Sequence, residues 1–123
     1  MHKLMLIEDD DTMRSLLQTL LEFEGFQVMQ LDGGTSLEDI LARLRGDQPD
    51  LILLDVHLRN LSGFDLVKQL RQDVEIKSIR VLMYSGMELS TECREAGADG
   101  FVLKPFMPED LVATIRKTLL TES

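Results

Sequence analysis

Hydrophobic residues along the chain alternate between short continuous runs and longer segments with helical spacing. The short runs have the length of β-strands, and we predict strands at residues 4–7, 28–29, 51–54, 79–84 and 101–103. The run 51–54 is apolar at every position, which is typical of a central strand buried on both faces. Residues 27–30 are more polar, so we place that strand nearer the periphery of the sheet.

Between these runs, apolar residues recur every three or four positions, as they do on the buried face of an α-helix. The first such stripe comprises Met13, Leu16, Leu17, Leu20 and Leu21. Similar spacing predicts four further helices, at residues 37–44, 64–70, 89–96 and 111–119. The chain thus reads as five strands, each followed by a helix.

Three polar or proline signals mark the starts of predicted helices. Asp10 and Asp11 suit the N-cap and first turn of the first helix, where the helix dipole favours anions. Thr35 and Glu38 have the spacing of a capping box before the second helix. Pro108 suits the first turn of the fifth.

Alternating strands and helices favour a parallel sheet with helices on both faces. Right-handed crossovers and short connections then predict an α/β fold of the (βα)5 type, an open doubly wound sheet with the flavodoxin-like strand order 2-1-3-4-5. A closed eight-stranded barrel needs about 250 residues, and this chain has 123. We predict one domain over residues 1–123.

Composition narrows the classes of partner. Thirteen Lys and Arg against 22 Asp and Glu give a net charge of −9, which argues against direct nucleic-acid binding by this chain. No stretch approaches the ~20 apolar residues that span a membrane. The single Cys93 excludes an internal disulfide, fits a reducing cytoplasm, and is expected in the core. We expect a cytoplasmic protein.

Ligands of such a sheet bind beyond the carboxyl ends of the strands. These ends carry Glu8, Asp9, Asp55, Ser85 and Lys104. Converging carboxylates repel one another unless a cation lies among them, and hard oxygen ligands open to water suit Mg²⁺. An aspartate is already ionised at neutral pH, so it needs no general base to attack phosphorus, while lysine and hydroxyl groups can neutralise the phosphoryl oxygens. The residues therefore predict a phosphoryl-accepting site.

Four segments resemble the response-regulator receiver domain of two-component (phosphorelay) signalling, a CheY-like domain, and the resemblance covers nearly the whole chain. They are LMLIEDDDTMR, LILLDVHL followed by SG, VLMYSG and AGADGFVLKPF, in that order. The resemblance implies that Glu8 and Asp9 are the acidic pair and that Asp55 is the phosphoacceptor. Ser85 and Lys104 then complete the catalytic set, and the Lys104–Pro105 peptide bond is expected to be cis.

Further roles follow from the resemblance. Mg²⁺, or Mn²⁺ in its place, would be bound by Glu8, Asp9, Asp55 and the backbone carbonyl of His57. Ser85 and Phe101 would be the switch residues. The side chains of His57 and Met87 would adjust how fast water reaches the acyl phosphate. Such a domain is a regulatory phosphoacceptor rather than an enzyme, with self-phosphorylation from small acyl phosphates and autodephosphorylation expected.

The resemblance also implies partners. A sensor histidine kinase or phosphotransfer protein would donate the phosphoryl group, and a downstream target protein or an output domain outside this chain would read it. No membrane contact is expected. The fourth helix, fifth strand and fifth helix would change on phosphorylation and could form a dimer.

Two residues depart from the usual receiver pattern. Arg59 stands where receivers usually have proline, so we expect a looser or reshaped turn. The switch aromatic is Phe101 rather than tyrosine, so it has no hydroxyl group for a hydrogen bond.

Two other classes of function fit these residues less well. A phosphatase with an aspartyl-phosphate intermediate usually carries a second aspartate two residues after the nucleophile, where this chain has His57. A flavodoxin-type module needs a Ser/Thr/Gly-rich loop after the first strand and aromatic residues around the flavin. This chain has four acidic residues there, one Tyr and no Trp. Both alternatives are disfavoured.

Overall fold

A computed structural model of the protein describes residues 1–32 and 35–120. Within these residues, five strands and five helices alternate along the chain. The strands are β1 (Lys3–Glu8), β2 (Gln27–Asp32), β3 (Leu51–Asp55), β4 (Arg80–Ser85) and β5 (Gly100–Leu103). The helices are α1 (Asp11–Phe23), α2 (Leu37–Asp47), α3 (Gly63–Gln72), α4 (Ser90–Ala96) and α5 (Pro108–Leu119).

All neighbouring strands of the sheet are parallel, and their order is β2-β1-β3-β4-β5. The predicted doubly wound (βα)5 fold and its strand order are therefore confirmed. Every residue of β3 is buried, as expected for a central strand. In β2, by contrast, one residue of six is buried, which agrees with its predicted peripheral position.

The side chains of the sheet form two separate cores because successive residues of a strand point to opposite faces. Met5, Ile7, Ile52 and Leu54 belong to the core that includes residues of α2, α3 and α4. The residues that alternate with them pack with α1 and α5 on the other face. The ends of the strands are therefore held rigidly between the two packed layers of helices.

One part of the predicted helical stripe lies outside the core. Leu17 and Leu21 of α1 are buried, whereas Leu16 is 63% exposed. The spacing of Leu16 matches the stripe, but the buried arc of α1 is narrower than the apolar arc of its sequence. The assignment of Leu16 to the buried face was therefore wrong.

Helix starts were predicted with mixed success. The side chain of Asp10 accepts a hydrogen bond from the backbone N–H of Met13 at 2.9 Å, which confirms it as the N-cap of α1. Pro108 is the first residue of α5, as expected. The capping box was wrong by one residue, because Ser36 rather than Thr35 is the N-cap of α2. The hydroxyl of Ser36 accepts from the N–H of Asp39.

Two further expectations concern residues away from the sheet edge. Cys93 of α4 is a free, buried thiol, which confirms its place in the core. None of the helices in the described ranges combines the length and apolar character needed to cross a bilayer.

Candidate functional site

The register of three neighbouring strands aligns the residues at the carboxyl edge of the sheet. Ile7 of β1 pairs with Leu54 of β3, and Asp55 pairs with Tyr84 of β4. Glu8, Asp55 and Tyr84 therefore lie abreast at the ends of β1, β3 and β4. Residues at matched positions of parallel strands project to the same face, so these side chains lie close together.

Asp55 is held by a backbone donor on one side and a cation on the other. Its side chain is mostly buried, and its Oδ1 accepts a hydrogen bond from the N–H of His57 at 2.9 Å. Its Oδ2 lies 3.5 Å from Nζ of Lys104. The predicted approach of Asp55 and Lys104 is therefore present, although 49 residues separate them in sequence.

Lys104 is positioned by its backbone and by an aromatic ring. Its N–H donates to the carbonyl of Ser85 at 2.8 Å, which continues the β4–β5 pairing beyond the last strand residue. Its Nζ lies 4.9 Å from the ring centroid of Tyr84, within the range of a cation–π contact. The peptide bond from Lys104 to Pro105 is cis, as expected.

Glu8 is directed into the protein rather than toward open solvent. It is 2% exposed, and its Oε1 accepts a hydrogen bond from the hydroxyl of Tyr84 at 2.7 Å. Its Oε2 accepts from the N–H of Asp10 at 3.1 Å. Both carboxylate oxygens of Glu8 therefore have a hydrogen-bond donor.

Tyr84 is a site residue that the sequence analysis missed. Its side chain is fully buried beside three carboxylates. Burial, followed by the negative charge of Glu8, raises the pKa of Tyr84 well above its usual range, so the phenol stays protonated and donates to Glu8. The only available signal was a lone tyrosine in an aliphatic strand, one residue before Ser85.

Asp9 contacts the loop after β3. Its Oδ2 accepts a short hydrogen bond from the N–H of Arg59 and lies 3.8 Å from Nε of the same residue. A proline at position 59 has no N–H to donate. Arg59 therefore connects this loop to Asp9 through a hydrogen bond that proline could not form.

The same loop packs closely against the phosphoacceptor strand. The N–H of Gly63 donates to the carbonyl of Val56 at 2.9 Å, and His57 forms an isolated antiparallel bridge with Ser62. A Cβ atom on Gly63 would lie 2.8 Å from the carbonyl oxygen of Asp55. Glycine is required here because the backbone of α3 begins in contact with the backbone of β3.

The predicted switch and lifetime residues lie around this edge in different environments. Ser85 is fully buried, and its Oγ accepts a hydrogen bond from the N–H of Met87 at 3.0 Å. Phe101 of β5 is half-buried against the core of α2, α3 and α4. Met87 is 61% exposed, and His57 is also exposed.

The predicted metal ligands Glu8, Asp9 and Asp55 all lie near Tyr84, and their role as ligands stays a prediction. In residues 1–32 and 35–120, no group of three or more His, Cys, Asp or Glu side chains is arranged to hold a metal ion. Each oxygen of Glu8 already accepts one hydrogen bond, from the hydroxyl of Tyr84 and from the N–H of Asp10.

The remaining donors still fit a magnesium ion. Oδ1 of Asp9 is buried and receives no hydrogen bond from the described part of the chain. A buried carboxylate oxygen of this kind is stabilised by a cation. Mg²⁺ usually takes one or two protein carboxylates and keeps several waters, so Asp9, Asp55 and a backbone carbonyl form a sufficient donor set.

The fold is that of a signalling receiver domain, and comparison with known proteins agrees. Residues 4–116 match the response regulator receiver domain family. The chain belongs to this family.

Two curated relatives are transcriptional regulators. The transcriptional regulatory protein CpxR of Escherichia coli strain K12 is 41% identical over 120 residues, which are 97% of this chain and 50% of CpxR. The transcriptional regulatory protein CseB of Streptomyces coelicolor is 40% identical over 117 residues, 92% of this chain and 47% of CseB. The chain spans about half the length of these relatives.

Solved structures resemble the whole domain. A putative response regulator from Chloroflexus aurantiacus has a TM-score of 0.87 and 31% identity, with 98% of both chains covered. The chemotaxis protein CheY4 of Vibrio cholerae has a TM-score of 0.83 and 29% identity, covering 96% of this chain and 98% of CheY4. The chain is thus similar over nearly its whole length to solved response-regulator chains of about its own size, and to about half of the longer transcriptional regulators.

Proposed function

We propose that this chain is a phosphoacceptor switch that receives a phosphoryl group on Asp55 in a Mg²⁺-dependent reaction. The observation that carries the proposal is the position of the Asp55 carboxylate. It lies at the carboxyl edge of a central strand, 3.5 Å from the ammonium of Lys104 and close to the backbone of His57. A histidine kinase or a phosphotransfer protein would be the physiological donor.

The reaction requires little covalent chemistry from the protein. An oxygen of the Asp55 carboxylate attacks phosphorus, an O–P bond forms, and the P–N bond to the donor histidine breaks as its nitrogen takes up a proton. Lys104 then offsets part of the added negative charge. Positioning and charge neutralisation dominate catalysis of phosphoryl transfer, and the closeness of Lys104 to Asp55 supports both roles.

Asp9, Asp55 and the carbonyl of His57 would bind the Mg²⁺ ion, or Mn²⁺ in its place. Glu8 would add negative potential from beneath the site, because its own oxygens are already hydrogen-bonded. When bound, the ion neutralises the repulsion between the acidic groups and the incoming phosphoryl oxygens. Asp9 is the key ligand in this scheme, since one of its oxygens has no other partner in the described chain.

Signalling would follow from the position of Ser85. Its Oγ now accepts from the N–H of Met87, so a phosphoryl group that attracts this hydroxyl would pull on the β4–α4 loop. Phe101 could then turn into the space released, and the surface of α4, β5 and α5 would shift between two states. A target protein, an output domain outside this chain, or a second copy of the domain would read that surface.

The phosphorylated state would be reset by water. His57 and Met87 border the site and are exposed, which suits residues that control the access of water to the acyl phosphate. We place these reactions in the cytoplasm, where a kinase would have nucleotide available. The domain would act as a regulatory phosphoacceptor rather than as an enzyme with a substrate of its own.

A labelling experiment tests the assignment. The protein is incubated with acetyl phosphate and Mg²⁺, and its intact mass is measured. We expect one added phosphoryl group, no addition after chelation of the metal, and none in Asp55→Asn. Asp65→Asn is the matched control, because it makes the same change at an exposed position of α3 and should label normally.

A second variant tests the metal ligand. Asp9→Ala should lose Mg²⁺ affinity and labelling while its circular dichroism spectrum stays native, because its acidic oxygens repel their neighbours. Labelling of Asp55→Asn, or full labelling without metal, contradicts the proposed site. A collapsed fold in Asp9→Ala would show that the acid is structural instead.

A further inference from the structure

Arg59 places a second positive charge at the acidic side of the site. Its Nε lies 3.8 Å from Oδ2 of Asp9, and its guanidinium also lies 3.4 Å from Oδ1 of Asp32 at the end of β2. The side chain is 65% exposed. Arg59 therefore links the loop after β3 to acidic groups at the ends of β1 and β2.

Two separate groups of Arg59 act on the same carboxylate oxygen. The backbone N–H donates to Oδ2 of Asp9, and the guanidinium adds positive charge nearby. The other oxygen of Asp9, Oδ1, is buried and has no donor in the described ranges. One of the two oxygens of the carboxylate that would bind the metal is thus already paired with Arg59, a positively charged residue of the protein itself.

We propose that Arg59 is a built-in competitor of the divalent cation at Asp9, and so sets the metal concentration at which the site becomes competent. The inference rests on the proposed metal site of Asp9 and Asp55. An exposed ion pair is weak and easily exchanged, so the guanidinium can yield to the ion. The guanidinium also contacts Asp32, so it keeps a carboxylate partner when it leaves Asp9.

Simple electrostatics gives the size of the effect. A unit positive charge a few ångströms from a divalent ion, in a medium close to water, weakens binding of that ion by a factor of about ten. The factor should fall as added salt screens the two charges, since the Debye length is about 8 Å at physiological ionic strength. A contribution of shape alone would not depend on salt in this way.

The test is a Mg²⁺ titration of the whole domain by isothermal calorimetry. The fluorescence of Tyr84 provides a second readout, because Tyr84 is the only tyrosine of the chain and there is no tryptophan. The hydroxyl of Tyr84 donates a hydrogen bond to Glu8, close to the proposed metal site. We expect Arg59→Ala to bind Mg²⁺ about tenfold more tightly than the natural chain, with a smaller difference at high salt. Arg59→Lys keeps the charge and should stay close to the natural affinity.

Arg43→Ala is the matched control for net charge. Arg43 pairs with Asp47 at 3.0 Å on α2, and the carbonyl of Asp47 binds Lys3 at the start of β1, the end of the sheet opposite the site. This variant should not alter the affinity for Mg²⁺. Arg59→Pro removes both the charge and the N–H, so its comparison with Arg59→Ala separates the two contributions.

Thermal unfolding with and without Mg²⁺ gives an independent check. Arg59→Ala should melt slightly lower than the natural protein without metal, because acidic repulsion is less compensated. Its melting temperature should rise more on saturation with Mg²⁺. Equal affinities in the natural protein and Arg59→Ala, or an Arg59→Lys that behaves like Arg59→Ala, would overturn the inference. No Mg²⁺ binding by any of the proteins would instead refute the proposed metal site.

Discussion

Replacing Tyr84 by phenylalanine removes one buried oxygen atom and keeps the aromatic ring. The ring's contacts should survive, since Phe106 packs edge-on against it at 6.2 Å and Nζ of Lys104 lies 4.9 Å from its centroid. The hydrogen bond of 2.7 Å to Oε1 of Glu8 is lost. The substitution therefore isolates one polar contact beneath the site.

The size of the loss follows from what remains around Glu8. Its Oε1 stays buried without the phenol donor, while Oε2 keeps the N–H of Asp10. Removal of one partner from a buried hydrogen bond to a charged group costs about 1.5–3 kcal/mol. With a urea dependence of about 1–3 kcal/mol per molar, Tyr84→Phe should lower the unfolding midpoint by roughly 1 M.

The effect should also depend on pH, with a definite sign. The folded protein raises the pKa of Tyr84 above the ordinary value of 10.0. Its stabilising contribution is therefore complete below pH 10 and declines above it, as the unfolded chain begins to lose the phenol proton while the folded protein keeps it. The expected slope is about 1.4 kcal/mol per pH unit. Tyr84→Phe lacks this slope, so the two proteins should converge in stability as the pH rises beyond 10.

Urea unfolding at pH 7 and at several values above 10, followed by far-ultraviolet circular dichroism, measures both effects. A double-mutant cycle with Glu8→Gln assigns the energy to the pair, because Tyr84→Phe should cost less when the acceptor is neutral. The reasoning is refuted if Tyr84→Phe unfolds at the natural midpoint at pH 7. It is equally refuted if tyrosinate absorbance develops near pH 10 while the protein remains folded.

Two further predictions concern packing and thiol chemistry. Gly63→Ala should destabilise the protein by about 1–3 kcal/mol, because the new Cβ meets the backbone oxygens of Asp55 and Val56 at 2.8 and 3.0 Å. Gly46→Ala, in α2 with open space around its Cβ position, should instead raise the melting temperature; a parallel response of the two variants would contradict this explanation. Cys93 is buried and its pKa is raised to about 11, first by desolvation and then by Glu92. A thiol reagent at pH 8 should therefore label it slowly in the native protein and rapidly in urea, and stoichiometric native labelling would be the contrary result.

The sequence alone determined the number, type and order of the elements, because periodicity is a local property. The apolar run of β3 and the helical spacing around Leu17 and Leu21 needed no tertiary information. The pairing of Asp55 with Lys104 was also predictable, since parallel strands bring their carboxyl ends to one edge wherever they occur in the chain. The family resemblance rests on these same strand-end residues.

Tertiary structure decided how the site is held. Tyr84 and Glu8 are 76 residues apart, and Arg59 and Asp9 are 50 apart. Whether such pairs meet depends on strand register, side-chain length and loop path, which no local pattern contains. The exposure of Leu16 depends on which side of α1 packs on the sheet. The N-cap at Ser36 depends on where the chain turns into α2.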